Sequence, residues 1–457
     1  MSILNNALSG TQAAQIALSA ASQNIANVKT AGYSRQGAVL ATISPYGDLR
    51  SPGNGVQVSA LQRFSDSYKV HQVWNAAANL GQYTPQQAYL TQLERVMGDD
   101  ASSINNGLDG FFSALNAATL EPTSMPLRQQ IITAANTLSQ RFNSLNDLLN
   151  NQRNAVKEQL AAAVSQINLL SADIGELNKQ IAALKVSGGN ASALMDARDQ
   201  RVQSLAGLVG VQVLEQPDGA YNVSLRDGQP LVIKGTVATL SLNVASSGMP
   251  TLQVDFANQS FSTTGANLGG QLGGLADFQL NTLLPLQQSV SAIAKTVADS
   301  VNAQLAAGTD LNGDPGAALL VYDPTGANGL LQVAAGIEAR QLAFSADGTL
   351  GDNGNLLKLI DLKGQTISTA STGTVTLGDA NTQLLGQLGM ASKQNQSLLA
   401  TAQTVSDQAA SNWSETSGVN QDEEAVNLME FQQMYQANLK VIATANQLFD
   451  SVLEMMA

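Results

Sequence analysis

The sequence predicts a mainly α-helical protein with a β insert: paired N- and C-terminal coiled-coil helices, a long helical-bundle domain, and a small antiparallel β outer domain. Three observations carry that expectation. Both ends of the chain place apolar residues at coiled-coil spacing, residues 126–186 hold the same spacing with one stutter, and residues 211–256 switch to a period of two.

At the N-terminus, Leu4, Thr11, Leu18 and Ile25 form one row and Ala7, Ala14, Ala21 and Val28 the other. Seven of these eight positions are apolar, as the seam of a coiled coil requires. The helix is expected to stop near Asn27, because Thr30 and Gly32 bring turn chemistry, and Gly32 is expected at positive φ. In the long stretch, Ile131, Ala135, Leu138, Phe142, Leu145, Leu149, Gln152 and Val156 lead into Leu160, Ala163, Ile167, Leu170, Ile174, Leu177, Ile181 and Leu184. The step from 156 to 160 adds a second four, a stutter that locally unwinds a supercoil. Such a helix reaches about 90 Å at ~1.5 Å per residue. Gly188 and Gly189 end it, and 192–208 reads as the next helix.

Alternation then takes over in Tyr221, Val223 and Leu225 and in Leu240, Leu242 and Val244. Turns are expected at Pro217-Asp218-Gly219, Asp227-Gly228 and Ser247-Gly248. Helical spacing resumes over 275–305. Weak strands are expected near 330–334 and 341–344, and a helix over 382–413. The C-terminal row runs Leu428, Phe431, Tyr435, Asn438, Ile442, Ala445, Phe449, Val452 and Met456, with Met434, Val441, Leu448 and Met455 beside it. A stripe this wide calls for more than one neighbouring helix. Asn420 with Glu423 resembles a capping box. Asp422 and Glu424 favour the helix dipole by ~0.3–1 kcal/mol each. The expected division is 1–45 with 416–457 as a terminal coiled-coil domain, 46–209 with 264–415 as a helical bundle with some short strands, and 210–263 as the β domain.

Composition narrows the function. Hydrophobic residues make up 44% and charged ones 12% of 457, which fits neither a disordered chain nor a membrane protein. The net charge of −13 argues against binding nucleic acid by phosphate neutralisation. With no cysteine, disulfides, thiolate metal sites and cysteine nucleophiles are excluded. The N-terminal residues do not read as a secretory signal, since the first basic residue is Lys29 and Asn5, Asn6, Gln12 and Gln15 interrupt any apolar run. No uninterrupted apolar run is long enough for membrane insertion.

Catalytic chemistry is sparse. The single histidine, His71, lies in a stretch that reads as helical, with Tyr68 and Trp74, and is expected to be packed or surface-lying. Asp310, Asn312 and Asp314 begin like a calcium loop, but Pro315 and Val321 stand where Gly and Glu are needed. Gly269, Gly270, Gly273 and Gly274 complete no dinucleotide fingerprint. The acids 422–424 read as a helix start rather than a metal site. No enzyme, cofactor or metal is expected.

Two segments carry a family resemblance. Residues 22–36 read SQNIANVKTAGYSRQ and residues 417–449 read SGVNQDEEAVNLMEFQQMYQANLKVIATANQLF. Together they resemble the terminal signatures of the flagellar rod, hook and hook-associated proteins. The second segment is most similar to the hook-associated protein 1 family of junction proteins, as are LMDARDQRVQSLAGLVGVQV (194–213) and GTDLNGDPG (308–316). The resemblance implies secretion, unfolded, through the flagellar type III export apparatus and assembly into a ring between hook and filament outside the cell. Its implied partners are further copies of itself, hook protein, the second junction protein (hook-associated protein 3) and an export chaperone. The assembly interface would use Leu4, Ala7, Ala14, Leu18, Ala21, Ile25 and Val28 together with Asn24, Asn27, Gly32, Tyr33 and Arg35. Tyr33 and Arg35 would either meet neighbouring subunits or form a local stack. The chaperone and the assembly would share the C-terminal stripe of Leu428, Phe431, Tyr435, Ile442, Phe449 and Val452. Known junction proteins often carry a further outer domain, and the β insert here is too short for one. Another axial protein, from hook or distal rod, is the alternative, with a surface adhesin behind it.

Overall fold

A computed structural model describes residues 2–44, 53–244, 250–264, 268–326, 329–371 and 373–456. The chain opens with helix α1 (Ser2–Ala26) and a hairpin of β1 (Gln36–Thr42) and β2 (Val56–Arg63), which lies against α1. Four helices follow: α2 (Ser67–Gly98), α3 (Ile104–Ala117), α4 (Met125–Val186) and α5 (Ser192–Leu208).

Helix α4 is the axis of the body. Pro126 sits in its first turn, where a missing N–H costs nothing, and Gly188 at φ +72° closes its end. Along its length Ile131, Leu138, Phe142, Leu149, Val156, Leu160, Ile167, Ile174 and Ile181 are all fully buried. The stripe therefore stays covered through the extra step between Val156 and Leu160. The cover changes along the helix, from α3 at one end to α5 and strands at the other.

The β insert forms two small sheets. One has the order β3 (Val211–Glu215), β4 (Tyr221–Leu225), β5 (Pro230–Ile233), β6 (Thr236–Val237), and the other β7 (Thr239–Val244), β8 (Pro250–Phe256), β9 (Gln259–Thr264). Every pairing in them is antiparallel. The turns at Gly219 and Gly228 are present with positive φ, while the expected turn at Ser247-Gly248 lies outside the described residues. Both sheets are strapped to α4 by asparagines. Asn168 accepts from the Leu240 N–H (2.8 Å) and donates to its carbonyl (2.9 Å). Asn178 accepts from the Tyr221 N–H (2.9 Å) and donates to the carbonyls of Tyr221 (2.8 Å) and Lys234 (2.7 Å).

The chain then returns through α6 (Gly270–Phe278), a π-helical turn (Gln279–Leu283), α7 (Leu284–Ala306), and the hairpin β10 (Leu320–Tyr322)–β11 (Leu331–Val333). Helix α8 (Gly354–Asp361), the hairpin β12 (Thr366–Thr369)–β13 (Gly373–Thr376), α9 (Ala380–Ser417) and α10 (Gln421–Met456) complete it. The strand expected at 341–344 does not form. Arg128, itself buried, donates to the carbonyls of Pro122 (2.6 Å), Ala339 (3.2 Å) and Leu342 (2.6 Å), and holds that segment as a 3₁₀ turn and loop.

One contiguous apolar core runs from Val70 to Leu388 and takes in α2 to α9 and the β insert. Among the described residues, none of α1 or α10 belongs to it. No helix among the described residues is long and apolar enough to cross a membrane.

Candidate assembly interface at the paired termini

Helices α1 and α10 pack on each other, and α1 is the principal neighbour of α10. The buried face of α1 is a run of small residues, Ala7, Gly10, Thr11, Ala13, Ala14, Ala17, Ala21 and Asn24. Small side chains let the two backbones approach, but they offer little area to bury on either partner. Of the row expected at the seam, Ala7, Ala14 and Ala21 are buried. Of the other row, Leu18 and Ile25 are half-buried and Leu4 is 40% exposed; Val28, past the helix end, is half-buried.

On α10, Leu428, Phe431, Tyr435 and Ile442 are half-buried. Towards its end the cover gives out: Leu448 is 60% exposed, Phe449 64% and Met455 80%, with Val452 and Leu453 exposed between them. Ile3, Leu8 and Ile16 on α1 are exposed as well. Large apolar side chains left in water along two adjacent helices form an incomplete interface, whose burial would contribute about 1.5–3 kcal/mol per side chain.

The signature segment after α1 is a joint inside the chain. Asn24, buried at the end of α1, donates to the Gln36 carbonyl (2.8 Å) and accepts from the Gln36 N–H (3.0 Å) and the Tyr33 hydroxyl (2.8 Å). One amide side chain thus closes the whole loop. Asn27 accepts from the Thr30 hydroxyl (3.1 Å) and tightens the first turn. Gly32 adopts φ +72°, a conformation that disfavours any other residue there. Burial pushes the Tyr33 phenol up to about 12, helped by the negative charges of Asp196 and Glu424. Arg35 lies over the Phe64 ring at 4.6 Å, the local stack rather than a free side chain, and reaches Glu423 at 3.5 Å. Its N–H donates to the Ser417 carbonyl (2.8 Å), which ties the loop to the break between α9 and α10.

Sequence reasoning missed the far side of this joint. Arg63, at the end of β2, spans two carboxylates of α5: Asp196 at 2.8 Å and Asp199 at 2.6 Å. Asp196 also accepts from the Ser34 N–H (3.2 Å). Burial raises the Asp196 carboxyl above its ordinary range, and the Arg63 charge opposes that shift. The two acids lie in the 194–213 segment, and acids that a helix turns toward the body were the available signal. At the head of α10, Asn420 accepts from the Asp422 N–H (3.0 Å), so the cap forms on one side. Glu423 is engaged by Arg35.

The remaining candidates have structural roles. His71 meets Trp74 edge-on, with ring centroids 5.0 Å apart. Asp310 accepts from the N–H groups of Asn312 (2.7 Å) and Asp314 (3.0 Å), a self-contained turn. In the glycine-rich stretch, Gly274 lets α6 press against the Gln82 carbonyl of α2, with no room for a Cβ. Among the described residues no group of three or more His, Cys, Asp or Glu is placed to hold a metal ion.

Comparison with known proteins agrees with this architecture. The profile of the flagellar hook-associated protein FlgK helical domain matches residues 90–320, and that of the flagellar basal body rod FlgEFG protein C-terminal matches 410–455. The chain is 28% identical over 554 aligned positions to flagellar hook-associated protein 1 of Salmonella typhimurium, covering 99% of this chain and 100% of that one. The counterpart from Bacillus subtilis is 25% identical over 503 positions, covering 99% and 98%. These spans exceed the 457 residues here, so both relatives carry segments with no counterpart in this chain. Among solved structures, the flagellar hook junction protein FlgK from Burkholderia pseudomallei superposes with a TM-score of 0.52 at 30% identity, over 55% of this chain and 46% of that one. With the helical-domain profile matching just over half of its length, the chain belongs to the flagellar hook-associated protein 1 (FlgK) family.

Proposed function

We propose that α1 and α10 build the inner wall of a ring assembled from copies of this chain, seated between hook and filament. As a member of its family the chain is a structural component of the bacterial flagellum, and it interacts with other hook and filament components. The observation that carries the inner-wall reading is the unfinished burial of α10. Its large apolar residues Leu448, Phe449, Val452, Leu453, Met455 and Met456 stay exposed, while the body completes its core alone. Copies stacked side by side would supply the second and third neighbours that a stripe this wide calls for.

In this reading the terminal module comprises 1–45 and 416–457, the bundle 46–209 and 264–415, and the β domain 210–263. The 45/46 boundary cuts the β1–β2 hairpin, whose strands pair with each other and rest on α1, so the terminal module extends to Arg63. Hook protein and hook-associated protein 3 are the axial neighbours, and the chain passes through the type III export apparatus to reach them. An export chaperone covers the α10 stripe beforehand, as a helix-in-groove contact would. The protein performs no catalysis.

Deletion of the gene, with electron microscopy and an assay of flagellin in the medium, tests this. Bare hooks with unpolymerised flagellin in the medium are expected. Missing hooks would move the protein to the rod or hook, and normal filaments would end the inner-wall reading.

A further inference from the structure

Glycine is a poor choice for the middle of a helix, and Gly10 sits in the middle of α1. It belongs to the buried face, where every neighbour in the row is alanine, threonine or asparagine, so a small side chain would be expected to serve. The reason for its absence stands opposite. A Cβ placed on Gly10 would lie 2.6 Å from Asn438 Oδ1, 2.8 Å from Cγ and 2.8 Å from Nδ2. Asn438 in turn is the only amide in the row that otherwise reads Leu428, Phe431, Tyr435, Ile442, Ala445, Phe449 and Val452. Its Nδ2 donates to the Met434 carbonyl of its own helix (2.9 Å), which holds the side chain against the backbone of α10 while its tip fills the notch in α1.

A polar side chain in an apolar seam fixes register, because every shifted alignment either loses its one fitting site or collides. An alanine seam has little other means to do this, since alanines are interchangeable along it. We propose that Gly10 and Asn438 form a register lock between the two terminal helices, and so set how the pair presents its apolar stripe to neighbouring subunits. The lock acts by positioning. Its role in assembly rests on the inner-wall reading above, but its geometry does not.

Two measurements separate those claims. The chain has no cysteine, so Ala17→Cys with Phe431→Cys, seven residues from Gly10 and Asn438 along each helix, places a single reporter pair in the purified full-length protein and leaves both lock residues in place. With a copper–phenanthroline oxidant, adding Gly10→Ala should slow that cross-link at least tenfold. An unchanged rate would overturn the lock whatever the protein does. In cells, Gly10→Ala should reduce filament-bearing cells about tenfold or more, since the new methyl group displaces Asn438. Adding Asn438→Ala should restore them to within about twofold, because the cavity and the clash cancel. Normal filaments in Gly10→Ala, or no rescue in the double variant, would refute the assembly role. If Gly10→Ala slows the cross-link as expected while gene deletion leaves filaments normal, the inner-wall reading fails and the lock between the helices stands.

Discussion

Helices α4 and α10 read nearly alike in sequence, each with apolar residues at alternating steps of three and four. Yet α4 buries nearly all of its row inside the chain, with only Leu177 and Leu184 half-buried, and α10 leaves most of the second half of its row in solvent. The difference lies in their neighbours. Helix α4 is covered by α3, α5, α7 and strands of three hairpins or sheets, with large side chains facing large side chains. Helix α10 meets chiefly α1, whose contact face is alanine and glycine, too shallow to enclose Phe449 or Leu448. A heptad row therefore states which face wants a partner, and says nothing of whether that partner lies in the same molecule.

The comparison can be broken at several points, ranked here by effect on the isolated chain. Phe142→Ala empties a fully buried site in α4 and should lower unfolding stability by about 3–5 kcal/mol in urea titration. A cost under ~1 kcal/mol would mean that α4 is less self-sufficient than its burial implies. Tyr33→Phe removes the hydrogen bond to Asn24 and should cost about 1 kcal/mol at neutral pH. Its signature lies in the pH profile. Folding holds Tyr33 protonated to about 12, so its stabilisation is complete below the ordinary tyrosine range and is lost as pH rises towards 12. The variant should lack that component, and an unchanged alkaline profile would show that the joint does not depend on the phenol. Phe449→Asp should change monomer stability by less than ~0.5 kcal/mol, because the ring is already exposed. It should nevertheless abolish filament attachment, since an unpaired charge would then be buried at the assembled interface. Normal motility in that variant would place the end of α10 outside the contact.

Much of the body was legible. The α4 row, the switch to strands after 210 and the helix break at Gly418–Asn420 follow from periodicity and turn residues. Helix α2 was legible only around His71, where the stretch with Tyr68 and Trp74 reads as helical, because the helix packs against α9, α5 and α6 together. With cover from three helices, its apolar and polar residues never separate into a stripe. The β1–β2 hairpin was hidden for the opposite reason, since most of its residues are half-buried or exposed and alternate weakly. The loop at 341–344 escaped because the side chains of Arg128 and Asn355 take the Leu342 and Ala343 carbonyls in place of a strand partner. Of the interface, the alanine row was visible in the heptads. The Arg63–Asp196–Asp199 cluster and the Gly10–Asn438 contact join residues more than a hundred positions apart, which no local pattern records.

Backbone hydrogen exchange on the purified monomer and on assembled flagella tests the central claim most directly. In the monomer, α4 amides should exchange only by global unfolding while those beyond Ile442 in α10 exchange orders of magnitude faster. In the assembled structure both sets should be protected. Equal protection of α4 and the end of α10 in the isolated monomer would contradict the account, because the stripe would then need no partner from another molecule.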